Sequence, residues 1–161
     1  MKLKSCLDGL ARDYDSRFLD TDPLGLVHRY RSDEDRETAG LVVSTLAYGS
    51  ASQIRRSASS VLDAAGPSPA RFVRTLTPER ALEVFGAFKH RWTGGGDIAF
   101  LFWAAGEIAR EHGSIGGLVR ELDDGAKPTI EETMIRFSDW MRTRHADFFS
   151  RTGLPRGAPF P

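Results

Sequence analysis

Residues 38–49 read TAGLVVSTLAYG and residues 97–111 read DIAFLFWAAGEIARE, and these two segments decide the fold. Both are apolar nearly all round, which is typical of helices buried in the middle of a domain. Ser32 supplies a cap before the first segment, and acidic residues follow it where a helix N-terminus favours them. The run from Val42 to Thr45 also suits a strand, but no second strand-like segment accompanies it. The sequence therefore predicts two central helices, over residues 33–48 and 97–111.

Shorter amphipathic segments on either side extend the helical pattern. Proline follows a capping residue at Ser68-Pro69 and Thr77-Pro78, which is typical of helix starts. The glycines of residues 93–97, TGGGD, predict a flexible joint between two helices. We therefore expect an all-α, irregular bundle of about seven helices over residues 1–149. Residues 150–161 are rich in proline and glycine and are expected to form a tail or a truncated linker.

Composition narrows the class of protein. The chain has 161 residues, 40% of them hydrophobic and 27% charged, which indicates one globular domain. Cys6 is the only cysteine, so an intrachain disulfide or a cysteine zinc cluster is excluded. The N-terminus lacks the apolar core of a signal peptide, and the longest strongly apolar run, residues 98–105, is too short to span a bilayer. The sequence predicts a cytoplasmic protein without a membrane partner.

The sequence contains no recognisable catalytic or metal-binding signature. The histidines do not show the spacing of metal ligands, so neither a metal nor a cofactor is expected. The sequence also lacks a recognisable set of nucleophile, base and orienting group. Asp35 and Asp97 are the carboxylates that we single out for a role beyond helix capping. Whether the protein is an enzyme stays open, and we expect no activity of this chain alone.

Basic residues concentrate in the middle of a chain whose formal net charge is zero. Between Ser50 and Gly96 there are seven Lys or Arg residues against three Asp or Glu residues. We expect an anionic partner to meet this part, although solvated helix faces would explain the same charges. Within it, residues 89–92 read KHRW, and such cations neutralise phosphates while an aromatic ring can stack on a base. The alternative is a solvated loop with Trp92 packed in the core.

Three motifs carry a resemblance: LAYG at residues 46–49, SPARF at residues 68–72 and FKHRW at residues 88–92. In this combination the chain resembles, over residues 5–150, a widespread bacterial family of conserved proteins of unassigned function. Longer members carry a C-terminal part that resembles the helix-hairpin-helix DNA glycosylase superfamily around its catalytic aspartate. The resemblance implies that this chain is the N-terminal part of a glycosylase-like fold, a fragment or truncated product without the catalytic part.

The resemblance also implies a local mechanism for binding DNA. In the glycosylase superfamily a buried helix ends in a short turn, and a turn residue wedges into the duplex while a base is flipped out. The equivalent turn here is residues 47–50, where Tyr48 would fill the gap. The residues expected to contact DNA are Tyr48, Gln53, Arg55, Arg56, Lys89, His90 and Arg91. The alternative reading makes Tyr48 a core residue at a helix end and Gln53 a solvated one.

A second class of function stays open beside DNA binding. The chain would then be a non-catalytic helical domain for protein interaction or scaffolding. That hypothesis predicts an exposed apolar patch, left by a missing C-terminal part, and self-association through it.

Overall fold

Helices account for nearly all the regular structure, which confirms the all-α prediction. The computed structural model describes residues 3–14, 16–125 and 129–154. These residues form nine α-helices, one 3-10 helix and one antiparallel pair of short strands. In chain order the elements are α1 (Leu3–Asp13), the 3-10 helix (Ser16–Asp20), α2 (Leu24–Val27), α3 (Asp33–Thr45), α4 (Ala51–Ala65), α5 (Pro69–Arg74), α6 (Pro78–Phe85), β1 (Lys89–His90), β2 (Thr93–Gly94), α7 (Gly95–Glu111), α8 (Ile115–Leu122) and α9 (Glu131–Thr152).

The two apolar segments form the central helices, as predicted. α7 packs on α5, α6, α8 and α9, and α3 packs on α2, α4, α5 and α8. Every residue from Ile98 to Gly106 is buried, because α7 has neighbours on all sides. α3 ends at Thr45, earlier than the predicted residue 48. Beyond it Gly49 adopts a φ of 116°, a conformation that glycine enters without the strain of a side chain.

Glycines let the backbone of α7 approach its neighbours closely. A Cβ atom at Gly106 would lie 2.2 Å from the carbonyl oxygen of Val73 in α5. A Cβ atom at Gly95 would lie 2.3 Å from the carbonyl oxygen of Gly86, just after α6. The start of α7 is therefore packed against the end of α6, and this contact fixes the base of the hairpin that connects them.

The predicted flexible joint over residues 93–97 is wrong. Thr93 and Gly94 form β2, and α7 begins at Gly95, with Thr93 and Gly95 both buried. The Asp97 carboxylate accepts a hydrogen bond of 2.7 Å from the backbone N–H of Gly94 and so caps α7. Strand pairing, capping and burial together hold this segment in one conformation.

The helix count and the chain end also differ from expectation. The described residues contain nine α-helices rather than about seven, because very short segments such as the four residues of α2 form helices. α9 continues to Thr152, past the expected domain end at residue 149. Residues 155–161 of the expected tail lie outside the described residues, so the division at residue 150 stays a prediction.

Membrane-spanning helices and clusters of metal-binding side chains are both missing from the described part of the chain. None of its helices has both the length and the apolar character needed to cross a membrane. Within the same residues, no three or more His, Cys, Asp or Glu side chains are grouped so that they could hold a metal ion.

Candidate nucleic-acid interface

A short hairpin presents the KHRW motif. Lys89 pairs with Gly94 and His90 pairs with Thr93, which leaves residues 91 and 92 as a two-residue turn. Arg91 has a φ of 53°, a left-handed conformation that costs a residue with a side chain roughly 1–2 kcal/mol. Both turn side chains are exposed, so the hairpin directs a cation and a large aromatic ring away from the core.

The buried side chain of His90 connects this hairpin to the rest of the protein. It is 5% exposed, and its Nε2 lies 3.2 Å from the Tyr48 carbonyl oxygen while its Nδ1 lies 2.8 Å from Ser57 Oγ. Because a carbonyl oxygen only accepts, Nε2 donates to it, and Nδ1 is hydrogen-bonded to the Ser57 hydroxyl, a group that can both donate and accept. Both ring nitrogens are therefore engaged inside the protein. His90 joins the hairpin to α4 and to the turn after α3, and we leave its side chain out of the proposed contact surface.

Tyr48 belongs to the same internal network. Its hydroxyl donates a 3.0 Å hydrogen bond to the His90 carbonyl oxygen and also bonds to the Thr93 hydroxyl. Its half-buried ring stacks on Trp92, with the ring centroids 4.6 Å apart and the planes at 10°. Trp92 itself is 67% exposed, so the expectation that it packs in the core under a solvated loop is wrong. The aromatic surface that faces solvent is that of Trp92, supported from behind by Tyr48.

The N-terminal half of α4 lies beside the hairpin and contributes further polar side chains to this surface. Ser50 caps the helix by accepting a hydrogen bond of 3.4 Å from the backbone N–H of Gln53. Gln53, Arg56 and Ser57 are three and four residues apart, which places them on one helix face. The Arg55 guanidinium points elsewhere, because its Nη1 donates to the carbonyl oxygens of Asp22 at 2.6 Å and Leu19 at 3.2 Å. We therefore also leave Arg55 out of the contact surface.

The helix face and the hairpin enclose a cleft of about 250 Å³. We call it the basic cleft; its lining residues are Gln53, Arg56, Ser57, Lys89, His90 and Arg91. A Cβ atom at Gly49 would lie 3.5 Å from Arg91 Nε and 3.6 Å from Gln53 Oε1, so the two walls converge above this glycine.

The basic cleft carries positive charge that no ion pair within the described part of the chain compensates. Across residues 3–14, 16–125 and 129–154, no carboxylate forms an ion pair with Arg56, Lys89 or Arg91. Other basic residues of the central stretch have partners, since Arg74 pairs with Glu34 and Arg80 with Glu83. Of the seven basic residues, Arg56, Lys89 and Arg91 line the basic cleft, whereas Arg71 and Arg74 line a different surface pocket.

The two singled-out aspartates have structural partners. Asp97 caps α7, and Asp35 accepts hydrogen bonds from the hydroxyls of Ser32 at 2.6 Å and Ser68 at 2.9 Å and from the backbone N–H of Ala70 at 3.0 Å. Burial alone would raise the pKa of Asp35, but these hydrogen bonds and the positive charge of Arg71 outweigh it and lower the pKa. Asp35 thus joins the N-termini of α3 and α5.

The fold and this surface define the class: an all-α, multi-helix protein with a basic cleft and an exposed tryptophan at its rim. The family described as "Protein of unknown function (DUF2400)" matches residues 22–155, most of the chain, and the chain belongs to that family. No curated protein and no solved structure matches the chain.

Proposed function

We propose that this protein binds nucleic acid across the basic cleft. The observation that carries the proposal is the grouping of Arg56, Lys89 and Arg91, three cations without an ion-pair partner in the described residues, beside the exposed ring of Trp92. Lysine and arginine neutralise backbone phosphates, and an exposed aromatic ring offers a surface on which bases stack. Gln53 adds an amide that can donate to phosphate or base oxygens.

The size of the cleft favours a polymer that crosses it over a small ligand enclosed by it. At about 250 Å³ the cleft is below the usual range of small-molecule pockets, roughly 300–1,000 Å³. Its lining is polar and charged, whereas such pockets are mostly apolar. DNA is the partner predicted from the sequence, and kinship with DNA glycosylases stays a prediction beside it. We propose no catalytic step for this chain.

Replacing two of the cations tests the proposal. We expect Arg56→Ala/Lys89→Ala to weaken binding of a fluorescent oligonucleotide about tenfold or more at low salt, because two phosphate contacts are lost. Fluorescence anisotropy measures this. The matched control is Arg31→Ala, since Arg31 is exposed, lies outside the cleft and has no ion pair in the described residues. Equal affinity of the double variant and the wild type would refute the proposal.

One observation favours a second candidate, a helical interaction domain that self-associates. α1 buries none of its residues, and its apolar side chains recur at helical spacing yet stay open: Leu3 is 75%, Leu7 53% and Leu10 48% exposed. Tyr14, just beyond α1, is 67% exposed. An unpartnered apolar face of this kind is typical of a protein contact surface. The cytoplasmic location predicted from the sequence applies equally to both candidates.

A further inference from the structure

The Trp92 side chain is exposed at the tip of the hairpin, where it can serve as a stacking platform for another ring, rather than packed in the core. Tryptophan is highly buried on average, yet this one sits at a hairpin tip with 67% of its surface exposed. One face of the indole lies on the Tyr48 ring at 4.6 Å, nearly parallel. The Arg91 guanidinium lies over the indole ring, 5.6 Å from the ring centroid, and the residue nonetheless keeps its large exposed fraction.

The platform is held in place before any ligand arrives. The Tyr48 hydroxyl donates a hydrogen bond to the His90 carbonyl oxygen and accepts one from the Thr93 hydroxyl, so the stack rests on the buried base of the hairpin. A ring that is already ordered loses little conformational entropy when a second ring stacks on it. The next ring in this stack would therefore bind at low entropic cost.

We propose that Trp92 stacks on an unpaired base and makes the basic cleft selective for single-stranded over duplex DNA. This inference rests on the proposed function. Within a duplex the faces of the bases are covered by their neighbours and only the edges are offered to a protein, so the exposed ring of Trp92 has no stacking partner there. In a single strand each base can leave the stack and lie on the indole, while adjacent phosphates reach Arg56 and Lys89.

An abasic strand distinguishes the contribution of base stacking to the affinity from the contribution of the phosphate charges. The probes are a fluorescent oligothymidylate, a strand of equal length built of abasic residues, and a blunt duplex of the same length. We expect the wild type to bind the oligothymidylate about tenfold more tightly than the abasic strand, since stacking contributes about 1–3 kcal/mol per base. We also expect it to bind the oligothymidylate more tightly than the duplex.

Variants assign that preference to a residue. Trp92→Ala should bind oligothymidylate and abasic strand alike, and Trp92→Phe should retain most of the preference because it keeps an aromatic face. Arg56→Ala/Lys89→Ala should weaken both strands by the same factor. Oligothymidylate should also quench tryptophan emission in the wild type but much less in Trp92→Phe, because Trp103 is buried and Trp140 packs on the core.

The outcomes separate this inference from the function on which it rests. Tight, equal binding of oligothymidylate and abasic strand by the wild type would overturn the inference and leave nucleic-acid binding intact. A base preference that survives in Trp92→Ala would overturn it as well, and so would duplex bound as tightly as the oligothymidylate. If the wild type binds no strand at all, both the inference and the proposed function are refuted.

Discussion

At the scale of single residues, three of the seven side chains predicted from the sequence to contact DNA, those of Tyr48, Arg55 and His90, form hydrogen bonds inside the protein. Arg55 donates to backbone carbonyl groups before α2, and His90 has both ring nitrogens engaged. Arg56, Lys89 and Arg91 differ because no carboxylate in the described residues neutralises them. A cation without an internal partner is the one available to an external phosphate.

Asp35 gives a residue-scale prediction about stability and pH. Its folded pKa is lowered, so its contribution to stability is fully present above the unfolded value near 4 and is lost as pH falls through the lower folded value. We expect Asp35→Asn to lower the free energy of unfolding by about 1–3 kcal/mol near neutral pH, because hydrogen bonds to a charged acceptor are lost. Urea unfolding measures this difference.

The deficit of Asp35→Asn should shrink as the pH falls through the lowered folded pKa of Asp35, where the wild-type carboxylate itself becomes protonated. Asp20→Asn serves as a control, because the Asp20 carboxylate is exposed and forms no hydrogen bond or ion pair within the described residues. A deficit of equal size at neutral and acidic pH would contradict the assigned role of the carboxylate charge.

At the scale of elements, α7 is held by close backbone contacts that a larger side chain would break. Gly106 in α7 faces the Val73 carbonyl oxygen, and a Cβ atom there would lie 2.2 Å from it. Gly40 in α3 also lies within a helix, but a Cβ atom there would meet nothing within 4 Å. The two glycines should therefore respond oppositely to the same substitution.

We expect Gly40→Ala to stabilise the protein by up to about 1 kcal/mol, because alanine favours the helix. Gly106→Ala gains the same propensity but forces α5 and α7 apart, and we expect a net loss of about 1–3 kcal/mol. Thermal unfolding followed by circular dichroism compares both variants with the wild type. Changes in melting temperature of the same sign would contradict the proposed packing of α7 on α5.

The central helices could be predicted from the sequence, whereas the hairpin could not. Burial on all sides leaves an unbroken apolar run, and that signal marks α3 and α7 directly. β1 and β2 are two residues each, too short for any periodicity, and the glycines after Thr93 resemble a joint. Their conformation depends on tertiary contacts that no local pattern encodes. Tyr48 contacts His90 from the turn after α3, and Gly95 packs against the backbone at the end of α6.

The candidate site was predicted in part for the same reason. Helical spacing places Gln53 and Arg56 on the same face of α4. Ser57, four residues after Gln53, lies on that face too and could have been predicted in the same way. That α4 and the KHRW motif share one cleft follows from the contact of His90 with Ser57, which no local pattern encodes. The exposure of Trp92 likewise depends on the two-residue turn.

At the scale of the whole molecule, α1 stands apart because it contributes no residue to the hydrophobic core. It lies before residues 22–155, the part matched by the family, and buries no residue. If the apolar face of α1 mediates self-association, Leu7→Lys/Leu10→Lys should shift the protein towards monomer in sedimentation velocity and leave its melting temperature nearly unchanged. Ser5→Lys, on the opposite side of α1, is the control. An unchanged sedimentation profile would argue against this second candidate.

The salt dependence of binding tests the central proposal most directly. For a single strand, the slope of log affinity against log salt is about −0.7 per neutralised phosphate, so three cations predict a slope near −2. We expect that slope in the wild type and in Arg31→Ala, and a slope near −0.7 in Arg56→Ala/Lys89→Ala. A slope that is zero in the wild type, or unchanged in the double variant, would contradict nucleic-acid binding at the basic cleft.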